Sequence, residues 1–558
     1  MALVPFGPEA ILAIYYSSSS LGKYPVSVNR RTAARVGLTG PSCCARMTPR
    51  CNSNEKNDLR TGAGTRPWDK PMQGIKLLSR FFLGPFVFLV VYFLPFQGLP
   101  RPAHLVLATF LWALTWWITQ PVPWGITALL PLIVFPAFGV MNITETTSLY
   151  GQTIFFWVMG LSLLGYAMQK HGLAKRFAIG LLSIKGVATT THRLLFFYML
   201  AGGILSMFIS NSGVVAMMMP IGISLLSYVR TLADRSETRS SSPLGNFIAL
   251  GTLYAAVAGG LATIAGSPPN VASLAVYEKL TGETISWFRW MKVGVPLSLA
   301  VLVTFYFVLR FFFPPEFTTI PGGQKFIREE AKKLGKMSRG EKNVLFVFFL
   351  MVVLFIIPSL SPFLLGDQHP INSWLRQVLP IWTVPPIIMF LLFALPNDIE
   401  KGEFTLTWKD AVEHSPWSAM LLCTGAVAMT EALGHFGFVD FVKNGLAGLG
   451  VTSFTLPILA AFSATAMTEM ASGTASVALL GNLFIPAAIQ VGFNPASLTM
   501  LLSNVGGGMM FPWGGAPTAV AFASGEIELK NMIKVGLVAD GLLAVIAALT
   551  HLLFAPIF

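Results

Sequence analysis

Long apolar runs recur along the chain from about residue 75 to its end, among them PFVFLVVYFLPF, VPLSLAVLVTFYFVLRFFF and NVLFVFFLMVVLFIIP. Several approach the roughly 20 residues that a helix needs to cross the hydrocarbon core of a bilayer. A backbone in hydrocarbon must satisfy its own hydrogen bonds, so such runs predict spanning helices, and the alternating strands of a membrane barrel are absent. The pattern predicts an all-α polytopic membrane protein. It is broken in a few places. SMFISNSGVVAMMMP, from Ser206, places Ser206, Ser210, Asn211, Ser212 and Gly213 inside an apolar stretch, and MTEMASGTASVALL, from Met467, does the same with Thr468, Glu469, Ser472, Gly473 and Thr474. Each reads either as a broken helix lining a buried site or as a small-residue stripe where helices pack closely.

The breaks recur in order. FFWVMGLSLLGYAMQKHGLAKRF, from Phe155, resembles AMLLCTGAVAMTEALGHFGFVDF, from Ala419, with Gly160 against Gly425 and Gly172 against Gly437 at one offset of 265 residues. The two serine-rich breaks align Ser210 with Ser472 at 262, and TIAGSPPN aligns with PWGGAPTA, Gly266 against Gly515 and Pro268 against Pro517, at 249. Three elements in one order predict two related halves, residues 73–315 and 343–558. Matching breaks in two halves point to a transport site between them, which weighs against the packing-stripe reading. Between the halves, residues 316–342 carry seven basic and four acidic side chains and read as a polar loop, on the cytosolic or stromal side by their basic excess or merely solvated.

Composition agrees: 54% of the 558 residues are hydrophobic and 11% charged, where soluble domains are about a quarter charged. Of the basic residues behind the net charge of +13, ten fall in residues 1–72, among them Lys23, Arg30, Arg31, Arg35, Arg46 and Arg50, with Glu9 the lone acid before Glu55. This Ser- and Arg-rich segment reads as an organelle transit peptide, a plastid one by preference, or as a disordered cytosolic tail, or as the product of an early start codon. The expected location is a plastid inner envelope in the first case and the plasma or another cellular membrane otherwise. Four cysteines and seven scattered histidines form neither a disulfide framework nor a zinc spacing. No nucleophile–base pair or acid pair recurs near the breaks, so the chain is not read as an enzyme, and no nucleic-acid partner or cofactor is expected.

The breaks have chemistry of their own. Hydroxyls and amides of Ser206, Ser210 and Asn211, with carbonyls near Gly266, offer hard neutral oxygens of the kind that replace water around an alkali cation. Exposed N–H groups at the start of a broken helix suit an anion. Glu469, an acid at membrane depth, is a functional suspect that reads better as a partner for backbone N–H groups.

In order along residues 76 to 558, TQPVPWGITALLPLIVFPAFGVM, the SNS stretch, IAGSPPN, KKLGKMSRGEKNV, LTWKDAVEHSPWSAMLLCTGAVAMTEAL and MTEMASGTA resemble the divalent anion/sodium symporter family, carriers of dicarboxylates, citrate or sulfate. The resemblance implies two inverted repeats with re-entrant hairpins, a scaffold and an elevator-type transport domain, and a homodimer. Its Ser-Asn-Thr motifs fall on Ser210-Asn211-Ser212 and Ser472-Gly473-Thr474. It implies a first sodium site at Ser206, Ser210, Asn211 and Gly266, and a second at Thr468, Ala471, Gly473 and Gly515. Substrate would meet Asn211, Ser212, Ser267, Pro268, Ser472, Gly473, Thr474, Ala516 and Pro517. Gly473 departs from the motif by lacking an amide, and GAPT departs from the usual second turn; Asn482 and Asn504 are candidate replacements. The expected function is sodium-coupled transport of a C4-dicarboxylate in a lipid bilayer. The alternatives are a sodium-independent dicarboxylate exchanger, a sulfate-like oxyanion carrier and, from another class, an anion channel.

Overall fold

The computed structural model of the chain describes residues 71–232, 242–316, 318–366, 369–438, 440–441, 450–470, 472–512 and 514–555. The amino-terminal segment, to which a targeting role was assigned, lies outside them except for Pro71 and Met72, which open the first helix. Among the described residues, eight helices are long and apolar enough to cross a membrane. The chain is an all-α polytopic membrane protein.

The principal helices, labelled in chain order, are α1 (Pro71–Phe93), α2 (Arg101–Thr119), α3 (Thr153–Lys170), α4 (Thr191–Ser206), α5 (Asn211–Leu232), α6 (Pro243–Gly260), α7 (Pro268–Thr281) and α8 (Trp287–Phe312). They continue with α9 (Gly323–Lys333), α10 (Arg339–Leu365), α11 (Val384–Ala394), α12 (Trp417–His435), α13 (Thr455–Met470), α14 (Gly473–Val491), α15 (Pro495–Asn504), α16 (Ala516–Ala523) and α17 (Leu529–Phe554). A small antiparallel pair, β1 (Pro396–Asp398) and β2 (Glu403–Phe404), precedes α12. Local sequence fixes the starts. Proline occupies the first position of α6, α7 and α15, where its missing N–H removes no helical bond. Ser338 and Glu341 form a reciprocal capping box at α10, Glu341 N donating to Ser338 Oγ at 3.1 Å and Ser338 N to Glu341 Oε2 at 2.7 Å.

The polar segment between the halves, expected as a loop over 316–342, contains α9 and the first turn of α10. The physical reason is amphipathicity. Along α9, Ile327 is buried and Phe326 stacks on Tyr228 with ring centroids 4.2 Å apart, while Lys325, Arg328, Glu329, Lys332 and Lys333 are exposed.

The packing of the halves is reciprocal. In the first, α4 and α5 meet at a non-helical tip and both pack on α6; in the second, α13 and α14 meet at a tip and both pack on α15. Across the halves, α7 lies on α14, α16 lies on α5, and α8 packs against its counterpart α17. Helix α6, small and apolar on every side, is buried from Leu244 to Gly260 at the centre.

Candidate functional site

The first tip spans residues 207–210, and the turn beside it, 261–267, separates α6 from α7. Residues around the turn present backbone carbonyls inward, and two asparagines hold them. Asn270 donates to Gly260 O and Thr263 O, both at 2.8 Å, and accepts from Ser503 Oγ at 2.6 Å. Asn211, at the start of α5, presents one amide atom to three acceptors: Ser206 Oγ at 2.9 Å, Ala256 O at 3.0 Å and Gly266 O at 3.1 Å. With nitrogen there, the amide's two N–H groups are shared among the three. With oxygen there, four oxygens face one another, an arrangement that a cation among them makes favourable. Turning one amide interconverts the two. Thr263 Oγ1 closes the turn on Met207 O.

The second tip follows Met470, and its turn, residues 505–515, is longer than the first. Here the inward groups are N–H donors. Met509 N donates to Glu469 Oε1 at 2.6 Å, Met510 N to both carboxylate oxygens at 3.1 and 3.2 Å, and Phe511 N to Oε2 at 3.2 Å. Glu469 therefore anchors backbone, as one of its two readings required. A Cβ on Gly473 would lie 1.9 Å from Gly506 O, so the turn's carbonyl stands where the motif's asparagine side chain would begin. The proposed substitutes are engaged through nitrogen alone: Asn482 Nδ2 donates to Thr430 Oγ1 and Ala478 O, both at 2.8 Å, and Asn504 Nδ2 sits 3.0 Å from His551 Nε2, while Oδ1 of each is buried without a partner among the described residues. Thr518 stabilises the turn locally, donating to Gly515 O at 2.6 Å.

The two halves meet at these tips. The Cβ position of Gly473 is 3.4 Å from the Pro269 ring, which brings the start of α14 to the start of α7. The Asn211–Gly266 contact brings in the start of α5, so the amino-terminal ends of three helices gather in one place. The hydroxyls of Ser210, Ser212, Ser267, Ser472 and Thr474 make no hydrogen bond among the described residues, and Ser472 and Thr474 are buried. Elsewhere, buried hydroxyls such as those of Thr252, Thr424, Thr430 and Thr468 donate to a carbonyl one turn back. Ser210, Ser267 and Pro268 share a small cavity with Trp157, Leu161 and Ser162 of α3. A roomier cavity of about 500 Å³ is lined by Glu278, Arg289, Phe355 and Trp382. It starts ten residues along α7 from Pro268, about 15 Å away at helical rise, and contains none of the expected residues.

The other expected positions divide. Ser206 and Thr468 are fully buried beside the tips, Gly266 is buried, Gly515 and Pro517 are half-buried at the start of α16, and Ala516 is exposed. Ala471 lies outside the described residues. Sequence reasoning passed over Asn270, although it stands inside the quoted SPPN motif. It also passed over Asp540, Tyr254 and Gly506. Asp540 is a lone acid in an apolar helix and 4% exposed, and its Oδ2 is buried without a hydrogen-bond partner among the described residues. The rule that flagged Glu469 would have flagged it too.

Residues 76–558 match the family model described as the sodium:sulfate symporter transmembrane region. A Staphylococcus saprophyticus protein named sodium-dependent dicarboxylate transporter SdcS is 32% identical over 489 residues, covering 86% of this chain and 92% of its own. The protein of the same name from Staphylococcus aureus is 31% identical over 497 residues, covering 88% and 93%. The solved Alcanivorax borkumensis YdaH transporter aligns at a TM-score of 0.47 and 12% identity over 82% of this chain and 98% of its own, too distant to add to the fold.

Proposed function

Since the chain belongs to the sodium:sulfate symporter family, and is a membrane transporter rather than an enzyme, we propose that it carries small dicarboxylates, C4 acids foremost, coupled to sodium. The observation that carries this reading is the Asn211 amide set against Ser206 Oγ, Ala256 O and Gly266 O. With the amide oxygen turned in, these are four neutral oxygens at the mouth of a carbonyl-lined turn, a donor set for a hard monovalent cation. Ser210 completes this first sodium site.

The second site is built on Thr468, Ala471, Gly473 and Gly515, with the Gly506 carbonyl supplying the oxygen that an asparagine would otherwise bring. A dianion suits the adjoining space. Asn211, Ser212, Ser267, Pro268, Ser472, Gly473, Thr474, Ala516 and Pro517 surround it with uncommitted hydroxyls and helix amino-termini. In this reading the halves are inverted repeats with re-entrant hairpins. The hairpins with α7 and α16 move against a scaffold that includes α10 and α11, within a homodimer.

Purified protein in liposomes tests the coupling. Labelled succinate should accumulate only with an inward sodium gradient, and Ser206→Ala should raise the sodium needed for half-maximal uptake. Sodium-independent uptake that requires internal anion would favour an exchanger, the reading that the missing amide at Gly473 recommends. Preference for sulfate over succinate would favour an oxyanion carrier. Residues 1–72 are proposed to direct the protein to an organelle, the plastid inner envelope first. A fluorescent fusion distributed identically without them would reject that address.

A further inference from the structure

We propose that the Trp157 indole, carried by α3, limits the thickness of the anion that the protein transports: unbranched dicarboxylates pass beneath it, whereas a dicarboxylate with a bulky substituent, or a branched tricarboxylate, is turned away. This selectivity rests on the function proposed above and comes from a residue outside both polar breaks. Trp157 is fully buried and lines the small cavity that also holds Ser210, Ser267 and Pro268. That cavity measures about 20 Å³, room for about one water molecule. An anion on the two tips therefore has a shallow recess on its α3 side and then a wall.

The wall is braced. Two rings from other elements pack against Trp157: Trp382, in the turn before α11, lies edge-on with ring centroids 5.2 Å apart, and Phe355 of α10 lies at 5.3 Å. Each is fixed in its turn. Phe355 stacks on Trp287 of α8 at 4.1 Å with the planes 5° apart, and Trp382 Nε1 donates to the two oxygens of Glu278 at 3.2 and 2.9 Å. Helix α3 is itself pressed home three residues on, where a Cβ on Gly160 would lie 2.6 Å from Pro385 O in the first turn of α11. Packing alone holds the indole, because its Nε1 is buried without an acceptor among the described residues. In a close-packed interior a ring braced on several sides swings aside only if its neighbours move with it.

The place of the indole matters as much as its size. Helix α3 packs chiefly on α11 and α12, and on α10 as well, so it belongs with the scaffold. Ser210, Ser267 and Pro268 belong to the hairpin and to α7, the parts that move in the reading above. A group that projects from the bound anion toward α3 is therefore checked as the site passes the indole, and the check acts on translocation as well as on binding. A straight C4 or C5 chain carries no such group.

The test is initial uptake of labelled succinate and of labelled phenylsuccinate, each alone at the same low concentration, by the full-length protein in liposomes under the same sodium gradient. The two anions share a pair of carboxylates and differ by a ring, so the ratio of their rates reads discrimination by bulk. Wild-type protein should favour succinate by at least about tenfold, the scale of a misfit in an apolar pocket. Trp157→Ala, which opens the recess back to Phe355 and Trp382, should cut that ratio by at least about tenfold through faster phenylsuccinate uptake. Trp157→Phe should cut it by less. A ratio near one in the wild type overturns the proposal. So does an unchanged ratio in a variant that still takes up succinate, because a ring that serves packing alone lowers both rates together. If Trp157→Ala does not fold, Trp157→Phe, which keeps a ring against Trp382 and Phe355, decides by the same measure. Absence of succinate uptake by the wild type overturns the dicarboxylate reading and this selectivity with it, whereas an unchanged ratio leaves that reading standing.

Discussion

The two turns, residues 261–267 and 505–515, solve opposite electrostatic problems. The first turn gathers carbonyl oxygens, and the amides of Asn211 and Asn270 hold them. The second gathers N–H groups, and the Glu469 carboxylate holds those. A carbonyl-lined turn held by neutral amides can release them to a cation by a side-chain rotation. An N–H-lined turn held by a buried acid is tied by charge-assisted bonds of roughly 1.5 to 3 kcal/mol each and is harder to undo. The comparison teaches why position 473 holds glycine: the Gly506 carbonyl of the second turn occupies the space that a side chain there would need.

The largest effect should come from forcing the halves to match. Gly473→Asn, which restores the family's motif, places its Cβ 1.9 Å from Gly506 O. The turn must move, at a cost above about 3 kcal/mol. Thermal unfolding of detergent-purified protein should show a large loss of stability together with loss of uptake. A stable, active Gly473→Asn would show that the Gly506 carbonyl is free to leave and that the two half-sites are interchangeable. Glu469→Gln comes next. It removes the charge that the N–H groups of Met509–Phe511 point to and should cost about 3 kcal/mol. Asn270→Ala frees Gly260 O and Thr263 O and strands Ser503 Oγ, for about 2 kcal/mol. If the Asn270 variant proves the more damaging of the two, the contrast between a rotatable and a charge-locked turn is wrong.

How legible this was in the sequence follows from what each residue had to signal. The helices and both tips could be read because apolar length and a polar break are local properties, and the repeat placed Ser210 opposite Ser472 and Gly266 opposite Gly515. The departure at Gly473 was visible, but its compensation was not. Gly506 reads as one glycine in a run of three, and nothing local says that its carbonyl reaches across to another helix. Asn270 was hidden by its ordinary place in the first turn of a helix after two prolines. Asp540 was hidden because it is one acid inside a long apolar helix, and its burial follows only once α17 packs on α8, α13 and α15. The segment at 316–342 was misjudged because charge was read as loop, while the inner face of α9 rests on little more than Gly323, Phe326 and Ile327.

The smallest expected effect on stability is at the uncommitted hydroxyls, and it is the most discriminating. Ser210, Ser212, Ser472 and Thr474 donate to no described residue, so Ser210→Ala, Ser212→Ala, Ser472→Ala and Thr474→Val should each shift unfolding by less than about 0.5 kcal/mol. Thr252→Val removes a hydroxyl that bonds both Ile248 O and Tyr198 and should be visibly destabilising. Losing one hydrogen bond to a charged ligand amounts to roughly ten- to a hundredfold in affinity. The two halves should then separate by which affinity moves: Ser210→Ala should raise the sodium requirement, whereas Thr474→Val should raise the half-saturating succinate concentration at saturating sodium. Equal shifts in both quantities from both variants would mean that ion and anion sit on one shared set of hydroxyls, and the division of labour between the halves would have to be given up.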